Sequence, residues 1–225
     1  MKRLIFILVI MFVILFGFST QAMSYELPDA LTKLAEQSIR EAAQGVGIAP
    51  ADFGISKNIK LSAEKQKIGY VFEAYTLSDL KAAAKGAKLD SVIANSTKPK
   101  YIITGVQDGM PTVSIWIAFH EGSYKFVSYS GLASMYDTAM KRYDEIARTS
   151  KQVSNPRIIE VAAHQYLCAQ IDGIEKAIPI FFDAELLMQF TKDSGITGSW
   201  VPFSEYASYE ETRLRPMPNG EILIG

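Results

Sequence analysis

Two pairs of turn residues between apolar runs constrain this chain more than any other feature of its sequence. Asp108-Gly109 and Glu121-Gly122 interrupt the segment from Tyr101 to Gly131, which is otherwise rich in branched and aromatic residues. Such pairs favour two-residue hairpin turns, since both central positions of that turn need a positive φ. The segment therefore predicts a meander of three antiparallel strands.

The two turns also predict which side chains share a face of the meander. With two-residue turns, Ile102 and Thr104 lie on the same side as Val113 and Ile115, and the helix predicted over 132–148 lies across that side. The opposite face then carries Tyr101, Ile103, Trp116, Val127 and Tyr129. This second face is too apolar to be left in water. Either another layer of the fold covers it, or it is a platform for a peptide, a glycan or an apolar ligand.

The candidate ligand-binding residues follow from this second face and from the aromatic tail of the chain. They are Trp116, Tyr101, Tyr129 and Trp200. Trp200 belongs to a tail that also holds Phe203, Tyr206 and Tyr209, which we expect to act as a cover or a lid.

Two long amphipathic helices are predicted, one before the meander in sequence, over 27–46, and one after it, over 132–148. Shorter helices are predicted after Asp79 and around 186–190. A strand is predicted over 68–75. The expected fold class is α+β, with a mainly antiparallel, meander-type sheet packed by amphipathic helices. The polar connector from Lys151 to Pro156 is the candidate boundary, which leaves one exported domain over 23–225 or two related halves, 23–150 and 151–225.

The second half has weaker patterns. The segment 157–171 fits either a strand or a helix, and its β-branched content, followed by the turn pair Asp172-Gly173, favours strands. Asp183 is expected to cap the next helix. The segment 194–218 has little periodicity and is predicted to be loop, with a last strand at 221–224.

The first two dozen residues predict where the protein works. A basic head, Lys2-Arg3, precedes an apolar block from Leu4 to Phe18 and a small-residue site at Thr20-Gln21-Ala22, which is the pattern of a secretory signal peptide. The block has 15 residues, and at ~1.5 Å per helical residue it falls short of the ~30 Å hydrocarbon core. We expect residues 1–22 to be cleaved and the domain to be periplasmic or secreted. The alternative is an uncleaved segment that anchors the protein to a membrane.

Composition and net charge argue against some classes of binding partner. Removing Lys2 and Arg3 with the leader takes the formal net charge from −1 to −3, and no run of basic residues remains. Nucleic acid is therefore not an expected partner, because its binding needs a concentrated basic face. Cys168 is the only cysteine, so no disulfide holds the fold.

The sequence holds no nucleophile elbow, phosphate loop or dinucleotide fingerprint. His120 at a predicted hairpin tip could act as a base only with a nucleophile such as Ser123 within reach.

Glu160, His164 and Cys168 are spaced by four residues, and on a helix this spacing would place the three side chains on one face, where they could bind a metal ion. On the favoured strand that spacing separates neighbours by ~13 Å, so we expect no metal and no other cofactor.

These observations leave two functional hypotheses. The first is a non-catalytic binding or protein-interaction module of the periplasm or cell surface, with a protein, a peptide or an envelope component as partner. The alternative is a hydrolase acting on cell-envelope or extracellular substrates through His120 or His164. The segment from Ile178 to Phe190 resembles the strand-to-helix element of the periplasmic and chloroplast import-chaperone family. The likeness contains no specific motif, so no activity or site residue is carried over from it.

Overall fold

The computed structural model describes residues 27–53, 55, 59–93, 98–154, 156–181 and 184–214. The predicted leader, the cap at Asp183 and the strand at 221–224 lie outside these residues. The helices are α1 (Asp29–Ile48), α2 (Leu80–Ala84), α3 (Leu89–Val92), α4 (Ala133–Thr149), α5 (Ala184–Ser194) and α6 (Phe203–Arg213). The strands are β1 (Lys67–Thr76), β2 (Lys100–Gln107), β3 (Met110–His120), β4 (Ser123–Ser130), β5 (Arg157–Val161), β6 (His164–Ile171), β7 (Ile174–Ile180) and β8 (Val201–Pro202).

The eight strands form one sheet in the order β4-β3-β2-β1-β5-β6-β7-β8. Every neighbouring pair is antiparallel except β1 and β5, which run parallel. The α+β class and the mainly antiparallel sheet are therefore confirmed. The sheet contains two meanders, β2–β4 and β5–β7, and each is followed by a helix. The common ancestry of the two halves stays a prediction.

Helices cover both faces of the sheet. On one face, α1 packs over β1–β4, and α2, α3 and α6 pack over β5–β7. On the other face, α4 lies over a cluster that includes Phe72, Ile102 and Ile178. The close approach of α1 to β2 depends on Gly105, because a Cβ there would lie 2.8 Å from a methyl carbon of Ile39.

The predicted assignment of faces in the first meander was wrong. The register shifts between Gly105 and Val106, so Tyr101 and Ile103 share the α1 face with Val113, Ile115 and Ile117. A second shift near Ile117 leaves Val127 without a partner on β3. Each extra residue of a β-bulge reverses the faces beyond it. As a result α1 covers Val113 and Ile115, which the sequence assigned to the side of α4, whereas α4 covers Trp116 together with Ile102.

Two assignments in the second half also needed correction. The segment 157–171 is strand, as its β-branched content favours, but it forms two strands joined by a two-residue turn at Ala162-Ala163, because Val161 pairs with His164. Glu160 and His164 therefore lie on neighbouring strands rather than along one strand. The segment predicted as loop contains α6, whose buried residues Phe203, Tyr206, Ala207 and Glu210 follow helical spacing. This buried stripe includes a charged residue, Glu210, and a tyrosine, Tyr206, so its spacing was not recognised as that of an apolar helix face.

Candidate functional site

A cavity of about 780 Å³ lies where the β5–β6 turn and the end of β7 meet helices α4, α5 and α6. Its walls are mainly apolar and aromatic, and they include Trp116, Met135, Ile180, Phe181, Phe190 and Tyr209. We call this space the main cavity. It is the largest cavity found within the part of the chain that the structure describes.

Strand ends and helix periodicity position these side chains. Gln165 near the start of β6 pairs with Ile180 at the end of β7, which brings both strand ends to one edge of the cavity. Helix α5 presents Leu186, Gln189, Phe190 and Asp193 at spacings of three and four, so all four lie on one helical face. The Phe190 ring lies 5.0 Å from Tyr209 and 5.1 Å from Phe181, centroid to centroid. These aromatic contacts attach α5 to the rest of the wall.

Two lining residues of the main cavity, His164 and Arg213, bond to a buried carboxylate behind the wall, Glu210, which accepts hydrogen bonds from two elements. His164 Nδ1 and the Tyr166 hydroxyl donate to it from β6, and Arg213 Nε donates over 2.9 Å from α6. Arg213 Nη2 also lies 2.8 Å from Glu210 Oε2. Burial by itself would raise the pKa of Glu210. The hydrogen bonds from His164, Tyr166 and Arg213, together with the electrostatic interaction with His164, outweigh the effect of burial and lower that pKa.

A second polar group of the main cavity is centred on Glu160. Lys100 Nζ lies 2.5 Å from one Glu160 carboxylate oxygen, and Gln165 Nε2 donates to the other over 3.3 Å. Gln165 in turn accepts a hydrogen bond of 2.8 Å from the Tyr136 hydroxyl. Asp193 on α5 accepts two hydrogen bonds from Gln189 of the same helix. The main cavity thus combines a large apolar lining with a few fixed polar groups, the usual chemistry of a ligand site.

The structure separates the four predicted binding residues. Trp116 lines the main cavity, whereas Tyr101 and Tyr129 lie on the α1 face, the first 4% exposed and the second 38% exposed. Trp200 packs against Tyr143, and its ring nitrogen donates to the carbonyl of Arg142. The four residues therefore do not form one site, and Trp116 alone lines the main cavity.

Sequence reasoning missed most of the lining residues. Phe181, Phe190 and Tyr209 come from three separate elements, and no spacing along the chain connects them. His164 was considered, but with Cys168 and Glu160 as neighbours rather than with Glu210. Helix α6, which carries Glu210 and Arg213, was predicted to be loop.

The remaining candidate side chains lie apart from the main cavity. His120 is exposed at the β3–β4 turn, opposite Ser123 and 3.6 Å from a Glu121 carboxylate oxygen. Cys168 is completely buried, and burial raises the pKa of its thiol. Among the described residues, no three His, Cys, Asp or Glu side chains are grouped so that they could hold a metal ion.

Comparison of the chain with protein-family models, curated proteins and solved structures gave no match. Within the described ranges, no helix has the length and apolarity needed to cross a membrane.

Proposed function

We propose that this protein is exported, that its leader is cleaved, and that it acts as a non-catalytic binding protein of the periplasm or cell surface. The main cavity holds its ligand, a molecule with an apolar body. The single observation that carries this proposal is the cavity itself, about 780 Å³ with mainly apolar walls and a few polar groups. Pockets of ~300–1,000 Å³ with such linings are typical of small-molecule sites.

The cavity walls favour binding because burying an apolar ligand there removes apolar surface from water. Phe181, Phe190 and Tyr209 offer ring faces and edges to such a ligand, and aromatic contacts add to the gain from burial. The polar groups nearby already have partners. Glu210 is bonded to His164, Tyr166 and Arg213, and Glu160 is bonded to Lys100 and Gln165. The ligand body therefore need not satisfy either the buried carboxylate of Glu210 or the partly exposed carboxylate of Glu160.

The experiment is a titration of the purified mature protein with N-phenyl-1-naphthylamine, an uncharged dye whose fluorescence rises in apolar surroundings. We expect saturable binding. The substitution Gln189→Trp should weaken binding about tenfold, which is ~1.4 kcal/mol, because an indole ring would occupy the cavity from α5. Lys192→Trp is the matched control, since Lys192 is exposed on the same helix and does not line the cavity. Unsaturable dye binding, or equal affinity in all three proteins, would contradict the proposal.

A second candidate function, a hydrolase, has one observation in its favour. Glu210 holds Nδ1 of His164 at the cavity wall, and a carboxylate that orients an imidazole in this way leaves the other ring nitrogen available as a base. The described lining residues include no serine or cysteine, and the hydroxyl of the lining residue Thr212 donates to the carbonyl of Ser208, so we take water as the nucleophile of this alternative. The variants His164→Ala and His120→Ala distinguish the hydrolase from the binding protein. Loss of p-nitrophenyl ester hydrolysis in a folded His164→Ala protein, with hydrolysis retained in His120→Ala, would favour the hydrolase.

A further inference from the structure

A cationic side chain lies on the other side of α5 from the Glu210 cluster. Arg142 of α4 lines two smaller cavities, of about 280 and about 440 Å³, which also share Leu187 of α5. We call them the Arg142 cavities. The first of them has Met135, Ile180 and Phe181 in common with the main cavity. The first Arg142 cavity therefore borders the main cavity along these three apolar side chains.

The guanidinium of Arg142 is only partly exposed, and its bonded partners are uncharged. Nη1 donates to the carbonyl of Gly198 over 2.7 Å. No Asp or Glu among the described residues lies within ion-pair distance of Arg142, whereas Arg157 and Arg213 each have carboxylate partners. A partly buried guanidinium without a countercharge favours the approach of an anion.

The surroundings of Arg142 also suit an anion. Thr191, Thr197 and Ser199 supply hydroxyl groups to the second cavity, and no acidic residue lines either Arg142 cavity within the described part of the chain. The main cavity differs in this respect, because Glu160 and Asp193 are part of its walls. An anionic group is therefore favoured at the Arg142 end and disfavoured at the other.

We propose that the ligand is an amphiphile with one acidic head, a carboxylate or a phosphate, and an unbranched apolar chain. The head binds Arg142 and the neighbouring hydroxyls, and the chain runs past Leu187 along Met135 and Phe181 into the main cavity. This inference rests on the proposed binding function and adds the chemistry and orientation of the ligand.

The first experiment uses the mature protein as it is and measures displacement of N-phenyl-1-naphthylamine at pH 8, below the micelle-forming concentration of each ligand. Dodecanoate and dodecyl phosphate carry the chain with an acidic head, and dodecanol carries the chain alone. Butyrate and inorganic phosphate supply acidic groups with little or no chain. We expect at least one dodecyl acid to bind about tenfold or more tightly than dodecanol, because a hydrogen bond between a guanidinium and an anion is stronger than one to a neutral hydroxyl. The two short anions should bind far more weakly.

The second experiment tests Arg142 itself. Arg142→Gln should weaken binding of the preferred dodecyl acid about tenfold and leave dodecanol unchanged, while Arg142→Lys, which keeps the charge, should restore most of the affinity. Arg148→Gln, an exposed position on the same helix, is the matched control and should change neither. Thermal unfolding of each variant checks that the fold is retained.

The outcomes distinguish this inference from the function on which it rests. If dodecanol binds as tightly as both acids, the anion subsite is wrong and the apolar binding function stands. If neither the dye nor any dodecyl ligand binds, the proposed function fails. If Arg142→Gln and Arg142→Lys weaken dodecanol and the acids equally, Arg142 acts only by holding the carbonyl of Gly198, and the inference is overturned.

Discussion

Glu210 shows how one residue can connect a helix to the sheet. Its side chain is fully buried, and its carboxylate accepts bonds from His164 and Tyr166 on β6 as well as from Arg213 one turn along α6. A buried charge is costly unless its hydrogen bonds are satisfied. Because these bonds all converge on one carboxylate, removing its charge should loosen the α6 wall of the main cavity.

Glu210→Gln is expected to destabilise the folded protein by about 3 kcal/mol at pH 7, because breaking a buried ion pair leaves the other partner uncompensated. The pKa of Glu210 is lower in the folded protein than its usual value. The ionised Glu210 therefore contributes its full stabilisation of the fold above the ordinary glutamate pKa of ~4.3, and this contribution is lost as the pH falls through the lower pKa of the folded state. Urea unfolding should show a smaller difference between the variant and the wild type at pH 3 than at pH 7. Exposed Glu205→Gln is the control, and a difference independent of pH would contradict the argument.

In both meanders, two-residue turns between neighbouring strands set the register of the strands. Asp108-Gly109, Glu121-Gly122 and Asp172-Gly173 all have positive φ at both positions, as their residue types predict. The fourth turn, Ala162-Ala163, lies at the rim of the main cavity and holds Ala162 at φ 51°. A Cβ makes that conformation unfavourable, so this turn has no sequence signal and carries strain.

Replacing Ala162 with glycine should stabilise the protein by about 0.5–1 kcal/mol. The gain comes from relief of the left-handed strain, reduced by the greater freedom of glycine in the unfolded chain. Ala163→Gly is the matched control: Ala163 is exposed in the same turn without a positive φ, so it should be neutral or slightly destabilising. Chemical denaturation of both variants measures the difference, and an Ala162→Gly protein no more stable than Ala163→Gly would refute the strain.

The strands of the two predicted halves belong to one continuous sheet. Strand β1 pairs with β2 on one side and with β5 on the other. Helix α4, which follows the first meander, packs on a cluster with members from both halves, including Ile102, Ile158 and Ile178. Each half alone would expose this shared apolar surface to water.

Separating the chain in the connector at 151–156 should therefore yield two fragments, 23–150 and 151–225, that do not fold alone. Circular dichroism of each should lack a cooperative thermal transition, and mixing them should restore one. A cooperative transition in either isolated fragment would show that the halves are independent domains.

Short-range sequence patterns were enough to predict the local structure: the three Asp-Gly and Glu-Gly turns, the helices α1 and α4, the strand β1 and the α+β class. Each of these depends on neighbours along the chain, through φ preferences or apolar spacing. The sequence did not determine which face of the meander each helix covers, because two single-residue bulges reverse the faces and have no residue signature.

The candidate site is a product of long-range packing. Trp116, His164, Phe190 and Tyr209 come from four elements and line one cavity. The pairing of His164 with Glu210 and the absence of a described carboxylate beside Arg142 are properties of three-dimensional packing over long separations in sequence. Local patterns contain no information on such contacts, because they form only when the sheet brings distant segments together.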